Sequence, residues 1–115
     1  MKTAIVSGVG PLEGLGAQLC ARFADLGLHV LVAGRTQSKL DAVVDSIVSA
    51  GGSARAVVAD STSEADTERL FAMAGQDLTL AIYNTGSNTL GRIADQRAEA
   101  FANSWRVGCF GGCCF

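Results

Sequence analysis

The sequence predicts an α/β protein with a doubly wound parallel sheet, of which the chain holds about the first four strand–helix units. Four apolar runs, TAIVS, HVLVAG, ARAVVAD and LTLAIYN, have the near-continuous hydrophobicity of strands that are buried on both faces. A segment with apolar residues at helical spacing follows each run. The connections between them are short, and right-handed crossovers then place helices on both faces of the sheet, which gives three layers.

Each of the first two predicted helices has one apolar stripe and stops at a glycine. The first stripe is Leu15, Leu19, Phe23 and Leu26, before Gly27. The second is Leu40, Val43, Val44 and Ile47, before Gly51 and Gly52.

The third predicted helix starts at a capping box in which Ser63 and Asp66 take part, with Asp in place of the usual Glu. Its stripe is Leu70, Phe71 and Ala74, and Gly75 ends it. The fourth helix is expected to begin near Ala94 and to run to the chain end, with Phe101, Trp105 and Cys109 in line.

Length and charge limit the function classes. The 115 residues are expected to form one domain, 1–115, and the formal net charge of -2 comes from scattered residues with no basic face. Nucleic acid is therefore not an expected partner. No apolar run approaches the roughly 18 residues of a membrane span, and the first residues lack the apolar core of a signal peptide. We expect a cytoplasmic protein that does not bind membranes.

The cysteines and the single histidine carry no recognisable metal pattern. Cys109, Cys113 and Cys114 lie near the chain end, far from His29 in the sequence, and their spacing matches no zinc motif. We expect the cysteines to be small apolar side chains in a buried setting, and His29 to be a residue at a strand edge, with no metal site.

The stretch SGVGPLEGLG, residues 7–16, connects the first strand to the first helix. Its position places backbone N–H groups and a helix N-terminus where an anion would bind. A side chain at Gly14 or Gly16 would hold a phosphate away or push the helix off the sheet. The loop is therefore a candidate phosphate cradle, with an ordinary strand–helix turn as the alternative.

Polar residues follow the other strands at the edge where ligands bind in this architecture. Arg35 and Thr36 come after the second strand, where an acid would favour NAD and an arginine suits the 2′-phosphate of NADP. Asp60 follows the third strand, either as an acceptor for an adenine amino group or as a helix cap. Asn84 and Gly86 follow the fourth strand. These residues predict a nicotinamide dinucleotide site that prefers NADP, with NAD as the alternative.

The order of these motifs resembles the amino-terminal half of the short-chain dehydrogenase/reductase family, over the whole length from Thr3 to Phe115. The motifs are the glycine loop, VAGR, VVADST, IYNTGSN and FANSWRVGCFGG. The resemblance implies a Rossmann-like NAD(P)-binding domain and the following cofactor-binding residues: Ser7, Gly8, Gly10, Gly14, Leu15, Gly16, Arg35, Thr36, Asp60, Ser61, Asn84, Thr85 and Gly86.

Two departures from the family pattern affect the expected chemistry. The glycine loop is longer than usual, with Leu12 and Glu13 as an insertion, and the charge of Glu13 near the phosphates opposes the argument from Arg35 for NADP. Gly108 occupies the position where the family usually carries an asparagine that supports a proton relay through water. Glycine also weakens a helix by roughly 1 kcal/mol relative to alanine.

The resemblance implies an oxidoreductase of a carbonyl or alcohol, homodimeric or homotetrameric, with this chain as its cofactor half. The family's catalytic serine, tyrosine and lysine follow the fourth helix, so no catalytic residue is assigned, and we expect a chain that ends within that helix and is inactive alone. A cofactor-binding protein without dehydrogenase turnover is the second hypothesis. An S-adenosylmethionine-dependent methyltransferase is the third, although such enzymes generally carry an acid where this chain has Arg35.

Overall fold

The computed structural model describes residues 1–86 and 91–115, so Ser87 and Asn88 of the motif IYNTGSN lie outside the described residues. The strands are β1 Thr3–Ser7, β2 His29–Gly34, β3 Ser53–Val58 and β4 Leu78–Tyr83. The helices are α1 Leu15–Asp25, α2 Gln37–Ser49, α3 Glu64–Ala74, α4 Ala98–Trp105 and α5 Gly111–Cys114. A π-helical turn, Arg106–Phe110, joins α4 to α5.

All four strands are parallel and lie in the order β3-β2-β1-β4. In register, Ile5 of β1 lies between Leu31 of β2 and Ala81 of β4. The strand order reverses beside β1, because the chain continues to β2 on one side and returns as β4 on the other. The predicted doubly wound fold is confirmed, and the carboxyl ends of β1 and β4 form its switch point.

The central strand separates two hydrophobic clusters, because successive side chains point to opposite faces. Val6 belongs to the cluster that also contains Cys20 of α1 and Leu40 of α2. Ile5 belongs to the opposite cluster, with Leu70 of α3. Complete burial of a side chain such as Ile5 contributes about 1.5–3 kcal/mol. The three predicted layers are therefore present.

Helix α1 packs on the sheet through small residues. Its buried residues are Gly16, Ala17, Cys20 and Ala24. Leu15 and Leu26 are 65% and 62% exposed, so their assignment to the buried stripe is wrong. Small side chains allow the helix backbone to lie close to β1, and they leave the larger leucines at its two ends outside the contact.

Helix α3 begins as the sequence predicts. The amide of Asp66 donates to Ser63 Oγ at 3.2 Å, which is the expected cap. The Asp66 carboxylate accepts from the amide of Asp60 at 2.8 Å instead of returning to Ser63. Gly75 ends the helix with φ +58°, in the region that favours glycine. The cap therefore also holds the loop that follows β3.

The fourth helical segment starts later than expected and is not uniform. Ile93–Asp95 is a short 3₁₀ turn, closed by an Arg92–Asp95 ion pair at 3.0 Å, and α4 begins at Ala98. The expected start near Ala94 is therefore wrong. Phe101 and Trp105 are 75% and 51% exposed in the described ranges.

The cysteines divide into two environments. Cys20 is fully buried, as expected, whereas Cys109 and Cys113 are exposed and Cys114 is half-buried, so the expectation of burial is wrong for the two exposed thiols.

No group of three potential ligands from His, Cys, Asp and Glu comes together within ranges 1–86 and 91–115. His29 lies at the start of β2, where its Nδ1 is 2.6 Å from Ser53 Oγ of β3.

Burial raises the pKa of the Cys20 thiol to about 12. The thiolate is the nucleophilic form, so we predict that iodoacetamide at pH 9 labels Cys20 only after denaturation. Mass spectrometry of the labelled peptides, before and after guanidinium treatment, checks this. Because the folded-state pKa is raised, the stability from burying the neutral thiol is complete below pH 9 and is lost as the pH rises towards 12. Rapid labelling of Cys20 in the native protein would contradict this prediction.

Candidate functional site

A cavity of about 230 Å³ lies at the carboxyl ends of the strands, beside the switch point. Its walls come from the ends of all four strands and from the first turn of α2. The lining residues are Ser7, Gly8, Val9, Gly10, Gly34, Arg35, Thr36, Lys39, Ala59, Ser61, Asn84, Thr85 and Gly86.

Most of the residues expected from the sequence meet in this cavity. Ser7, Gly8, Gly10, Arg35, Thr36, Ser61, Asn84, Thr85 and Gly86 all line it. Gly14, Leu15, Gly16 and Asp60 do not. The separated motifs therefore converge on one site, as the parallel topology requires.

The floor of the cavity is a close contact between the ends of β1 and β4. Gly8 has φ +81°, and a Cβ there would overlap the carbonyl oxygen of Asn84 and lie 2.7 Å from Thr85 Oγ1. The amide of Asn84 donates to the carbonyl of Ser7 at 3.1 Å, and the hydroxyls of Ser7 and Thr85 are 3.2 Å apart. Only glycine fits at position 8, so main-chain atoms form this part of the wall.

The second strand is tied to the same loop. The amide of Val9 donates to the carbonyl of Ala33 at 3.0 Å. A Cβ at Gly34 would lie 2.6 Å from the carbonyl oxygen of Val9, so Gly34 must also lack a side chain. At Gly10, in contrast, no described heavy atom lies within 4 Å of an added Cβ, and φ is not positive. Gly10 therefore faces the open space of the cavity.

The two additional loop residues form a turn outside the cavity. The amide of Gly14 donates to the carbonyl of Pro11 at 2.9 Å, and Leu12 and Glu13 are exposed at the tip. The Glu13 side chain does not line the cavity, so the expected charge beside the phosphates is not placed there. The insertion lengthens the loop without narrowing the site.

Gly16 has a packing role beneath the loop. A Cβ on Gly16 would lie 3.1 Å from Val9 Cα and 3.3 Å from Asn84 Nδ2. A larger side chain would push α1 away from the sheet, as the sequence predicts. Gly14 is the N-cap of α1, without a capping side chain, and Leu15 faces outward.

Two cationic side chains, Arg35 and Lys39, form one side of the cavity. Arg35 follows β2 directly, and Lys39 lies in the first turn of α2, four residues later. Sequence reasoning identified Arg35 and missed Lys39. The signal was available, because the first turn of the helix that follows β2 lies at the edge of the sheet where the strands end, and Lys39 belongs to that turn.

Asp60 is turned into the loop after β3. Its Oδ1 accepts from the hydroxyl and the amide of Thr62, at 2.7 and 2.8 Å. These two hydrogen bonds lower the pKa of Asp60 below its usual value. Partial burial raises the pKa, and the positive charge of Arg35 lowers it, by smaller amounts. Ser61 and Ala59, on either side, line the cavity instead. The helix-cap alternative is wrong, because Ser63 is the N-cap of α3 and the Asp60 carboxylate accepts from Thr62, before the helix begins.

Tyr83 connects the end of β4 to the last helical segment. Its hydroxyl donates a short hydrogen bond to the carbonyl of Val107, and its ring centroid lies 5.3 Å from that of Phe115. A Cβ at Gly111 would overlap the Tyr83 hydroxyl and lie 2.7 Å from the carbonyl of Ser61. The π-helical turn is thus held beside two strand ends that contribute to the cavity.

Gly108 lies in the middle of this π-helical turn and is exposed. No described heavy atom lies within 4 Å of a Cβ added there. A side chain at this position would therefore fit without displacing its neighbours.

The geometry agrees with the family comparison. A family model described as short chain dehydrogenase matches residues 2–113. The chain belongs to the short-chain dehydrogenase family. The expected resemblance is confirmed, and with it the Rossmann-like character of the fold.

Relatives of this short-chain dehydrogenase chain are oxidoreductases. An uncharacterized oxidoreductase, MT0954, of Mycobacterium tuberculosis is 39% identical in an alignment of 111 residues, and the match covers 88% of this chain and 40% of the relative. A short-chain dehydrogenase structure from Rhodopseudomonas palustris is 28% identical with a TM-score of 0.90, covering 98% of this chain and 53% of that one. A 3-ketoacyl-ACP reductase structure from Sinorhizobium meliloti 1021 is 27% identical with a TM-score of 0.87, covering 97% and 45%.

The short-chain dehydrogenase chain spans about two fifths to one half of the length of these relatives. Among its described helices, none has the length and apolar character needed to cross a bilayer.

Gly8 and Gly10 should differ in how much an added methyl group destabilises the fold, because only Gly8 lies against the Asn84 backbone at the cavity floor. We predict that Gly8→Ala lowers the free energy of unfolding by at least about 1–2 kcal/mol, the cost of a positive φ, with a further loss from the overlap with Asn84. Gly10→Ala is the matched control and should change stability by less than about 0.5 kcal/mol. Chemical denaturation of the intact protein measures both. Equal losses in the two variants would contradict the described loop.

Proposed function

We propose that this chain is the dinucleotide-binding half of an NAD(P)(H)-dependent oxidoreductase that acts on a carbonyl or alcohol. The observation that carries the proposal is the cavity at the switch point, whose floor is glycine backbone and whose rim holds Arg35. Family membership and the oxidoreductase relatives support the reaction class.

The residues present fit a nicotinamide dinucleotide. A pyrophosphate needs backbone that can approach it closely, and Gly8 and Gly34 have no room for a side chain while Gly10 leaves space in the cavity. Asn84 and Thr85 supply neutral hydrogen-bonding groups on the β4 side. When bound, the nicotinamide ring would supply hydride transfer to or from the substrate carbon. The residues of this chain bind and orient it.

We propose that the cofactor is NADP(H) in preference to NAD(H). Arg35 lines the cavity directly after β2, where a carboxylate would be needed to bind the ribose hydroxyl of NAD. A guanidinium group instead suits the dianionic 2′-phosphate. The outward turn of Glu13 supports this preference, because it removes the opposing charge that the sequence suggested.

The proposed substrate class is supported by the relatives and not by the cavity. One structural relative is a 3-ketoacyl-ACP reductase, and the family resemblance likewise implies a carbonyl or an alcohol. We further propose that the intact protein is a cytoplasmic homodimer or homotetramer.

Calorimetric titration of the intact protein with NADPH, NADH and S-adenosylmethionine tests the proposal. We expect heat of binding with NADPH, weaker binding of NADH, and none with S-adenosylmethionine. Binding of S-adenosylmethionine alone would favour the methyltransferase hypothesis, and the absence of heat with either nicotinamide cofactor would overturn the proposed function.

Arg35→Ala should weaken NADPH binding by about 1.5–3 kcal/mol, the range for a hydrogen bond to a charged group, and leave NADH nearly unchanged. Calorimetric dissociation constants for the two cofactors give both numbers. Arg55, exposed on β3, provides the matched control as Arg55→Ala, for which no change is expected. Equal losses for NADPH and NADH in Arg35→Ala would refute the assignment of this residue.

Gly10→Ala should separate binding from folding. Its Cβ would enter the open space of the cavity, so we predict weaker binding of both cofactors with unchanged unfolding. Fluorescence titration and a denaturation curve on the same preparation measure the two effects. Wild-type affinity in this variant would argue against a cofactor that approaches the loop.

Gly108 favours a second candidate function, a cofactor-binding protein without dehydrogenase turnover. The position has no side chain to orient a water, and by resemblance the family usually carries asparagine there. NADPH oxidation across a panel of carbonyl compounds separates the two candidates. Turnover supports the dehydrogenase, whereas cofactor binding without turnover supports the second candidate.

Because position 108 has space for a side chain, Gly108→Asn should fold. A gain in turnover in this variant would show that the missing side chain limits the rate.

A further inference from the structure

A second cavity, of about 370 Å³, lies at the edge of the sheet opposite the candidate dinucleotide site. It is formed where α1 and α2 end, because both helices return to the amino end of the next strand. The lining residues are Ala21, Ala24, Asp25, Gly27, Ser46, Ile47, Ala50, Gly51 and Gly52. None of them lines the cavity at the switch point, so a ligand here would bind independently of a dinucleotide.

The floor of the second cavity is apolar and closely packed. Ala24 and Ile47, one from each helix, are buried. A Cβ on Gly52 would lie 2.7 Å from Ile47 Cγ2 and 3.1 Å from Ala24 Cβ, so the residue before β3 packs against both helices. This floor gives a fixed surface for the hydrocarbon part of a small ligand.

Both helices end in the same way at the rim of the second cavity. Gly27 and Gly51 follow the last turns in the left-handed region, with φ +91° and +90°. Their amides donate back to the carbonyls of Ala24 and Val48, each at 3.0 Å, as in the usual glycine cap. Each helix therefore brings the negative end of its dipole to the rim, equivalent to about half an elementary charge.

The side-chain charge at this rim is also negative. Of the lining residues that the structure describes, Asp25 alone carries a charge. Arg22 lies 3.8 Å from it, but the two side chains are 68% and 79% exposed, and such a pair is weak. The last turn of α2 holds no basic residue that would offset the dipole there.

The position of Asp25 conflicts with the local preference of a helix. A carboxylate in the last turn of α1 is repelled by the negative end of the dipole, so helix stability does not explain it. Departures from local rules of this kind are expected where a ligand supplies the missing interaction. The two helix ends and this carboxylate together favour a cation.

We propose that the second cavity binds a small organic cation, a protonated primary amine on a compact apolar body. The ammonium group lies at the rim, where the Asp25 carboxylate and the Ser46 hydroxyl can accept its hydrogen bonds. The hydrocarbon part packs on Ala24 and Ile47. An apolar floor with one carboxylate suits this class better than a metal ion, which requires several oxygen ligands.

An NMR titration of the intact protein with three probes of similar shape tests the selection by charge. Phenethylammonium is the cation, phenethyl alcohol the neutral analogue and hydrocinnamate the anion. We expect saturable amide shifts in residues 21–27 and 46–52, which surround the cavity. The cation should bind at least about fivefold more tightly than the alcohol, from the helix ends and the carboxylate together, and the anion should not bind.

Charge variants identify the group that selects the cation. Asp25→Asn should weaken phenethylammonium about two- to fivefold, the range for an exposed ion pair, and leave the alcohol unchanged. Arg22→Gln should strengthen the cation, because Asp25 loses a competing partner. Glu68→Gln is the matched control and should change neither probe, because Glu68 is exposed on α3, on the other face of the sheet.

Ser46→Phe tests the cavity itself. Ser46 is exposed on α2, so the variant should fold with an unchanged melting temperature, and its ring would occupy the space of the ligand. Phenethylammonium and the alcohol should both lose binding.

The outcomes decide the proposal without reference to the dinucleotide. Equal affinities for the cation and the alcohol, or an unchanged affinity in Asp25→Asn, would overturn the selection for a cation. Shifts confined to other residues, or full affinity in a folded Ser46→Phe, would overturn the site. The titration should give the same result with saturating NADPH, and competition between the two ligands would contradict two separate cavities.

Discussion

Gly8 lies against the backbone carbonyl of Asn84, and this contact between the ends of β1 and β4 determines the shape of the candidate site. Gly8 has no room for a side chain, so it meets Asn84 through main-chain atoms, beside the hydroxyls of Ser7 and Thr85. The bond from Asn84 to Ser7 and the bond from Val9 to Ala33 then connect three strand ends at one point. A ligand in the cavity would accordingly meet backbone and the hydroxyls of Ser7 and Thr85 at its floor, and charged side chains at the rim.

The rim has two chemically different sides. The side formed by the end of β2 and the start of α2 carries Arg35 and Lys39, whereas the β4 side carries the neutral groups of Asn84 and Thr85. Asp60 lies between the lining residues Ala59 and Ser61, but its carboxylate accepts hydrogen bonds from Thr62 and Asp60 does not line the cavity. This asymmetry supports a ligand with an anionic group at one end and uncharged polar groups at the other, as a phosphorylated dinucleotide has.

The sequence predicted the four strands because strand signals depend on local hydrophobicity. Burial on both faces is correct for β1 and β2 but wrong for β3 and β4, the outer strands of the described sheet, whose residues are mostly half-buried or exposed. It also predicted which strand ends would meet, since parallel topology alone brings them to one edge. It failed for α1, because helical spacing cannot show that Ala17 and Cys20, rather than Leu15, would face β1. It missed Lys39, because the contribution of a side chain four residues beyond Arg35 depends on where α2 begins.

The sequence also could not show the direction of the glycine loop or the irregular geometry of the last helical segment. The insertion of Leu12 and Glu13 was visible in the sequence, but its direction depends on the turn between Pro11 and Gly14. The π-helical turn around Gly108 has no recognisable sequence signature, and neither has the hydrogen bond from Tyr83 to the Val107 carbonyl in that turn, which joins residues far apart in the sequence.

Hydrogen exchange of the intact protein, with and without saturating NADPH, tests the central claim most directly. The account predicts slower exchange in residues 7–10, 34–39 and 84–86, which surround the cavity, and unchanged exchange in residues 46–52 at the opposite edge of the sheet. Unchanged exchange in residues 7–10, or protection confined to residues 46–52, would contradict a dinucleotide site at the switch point.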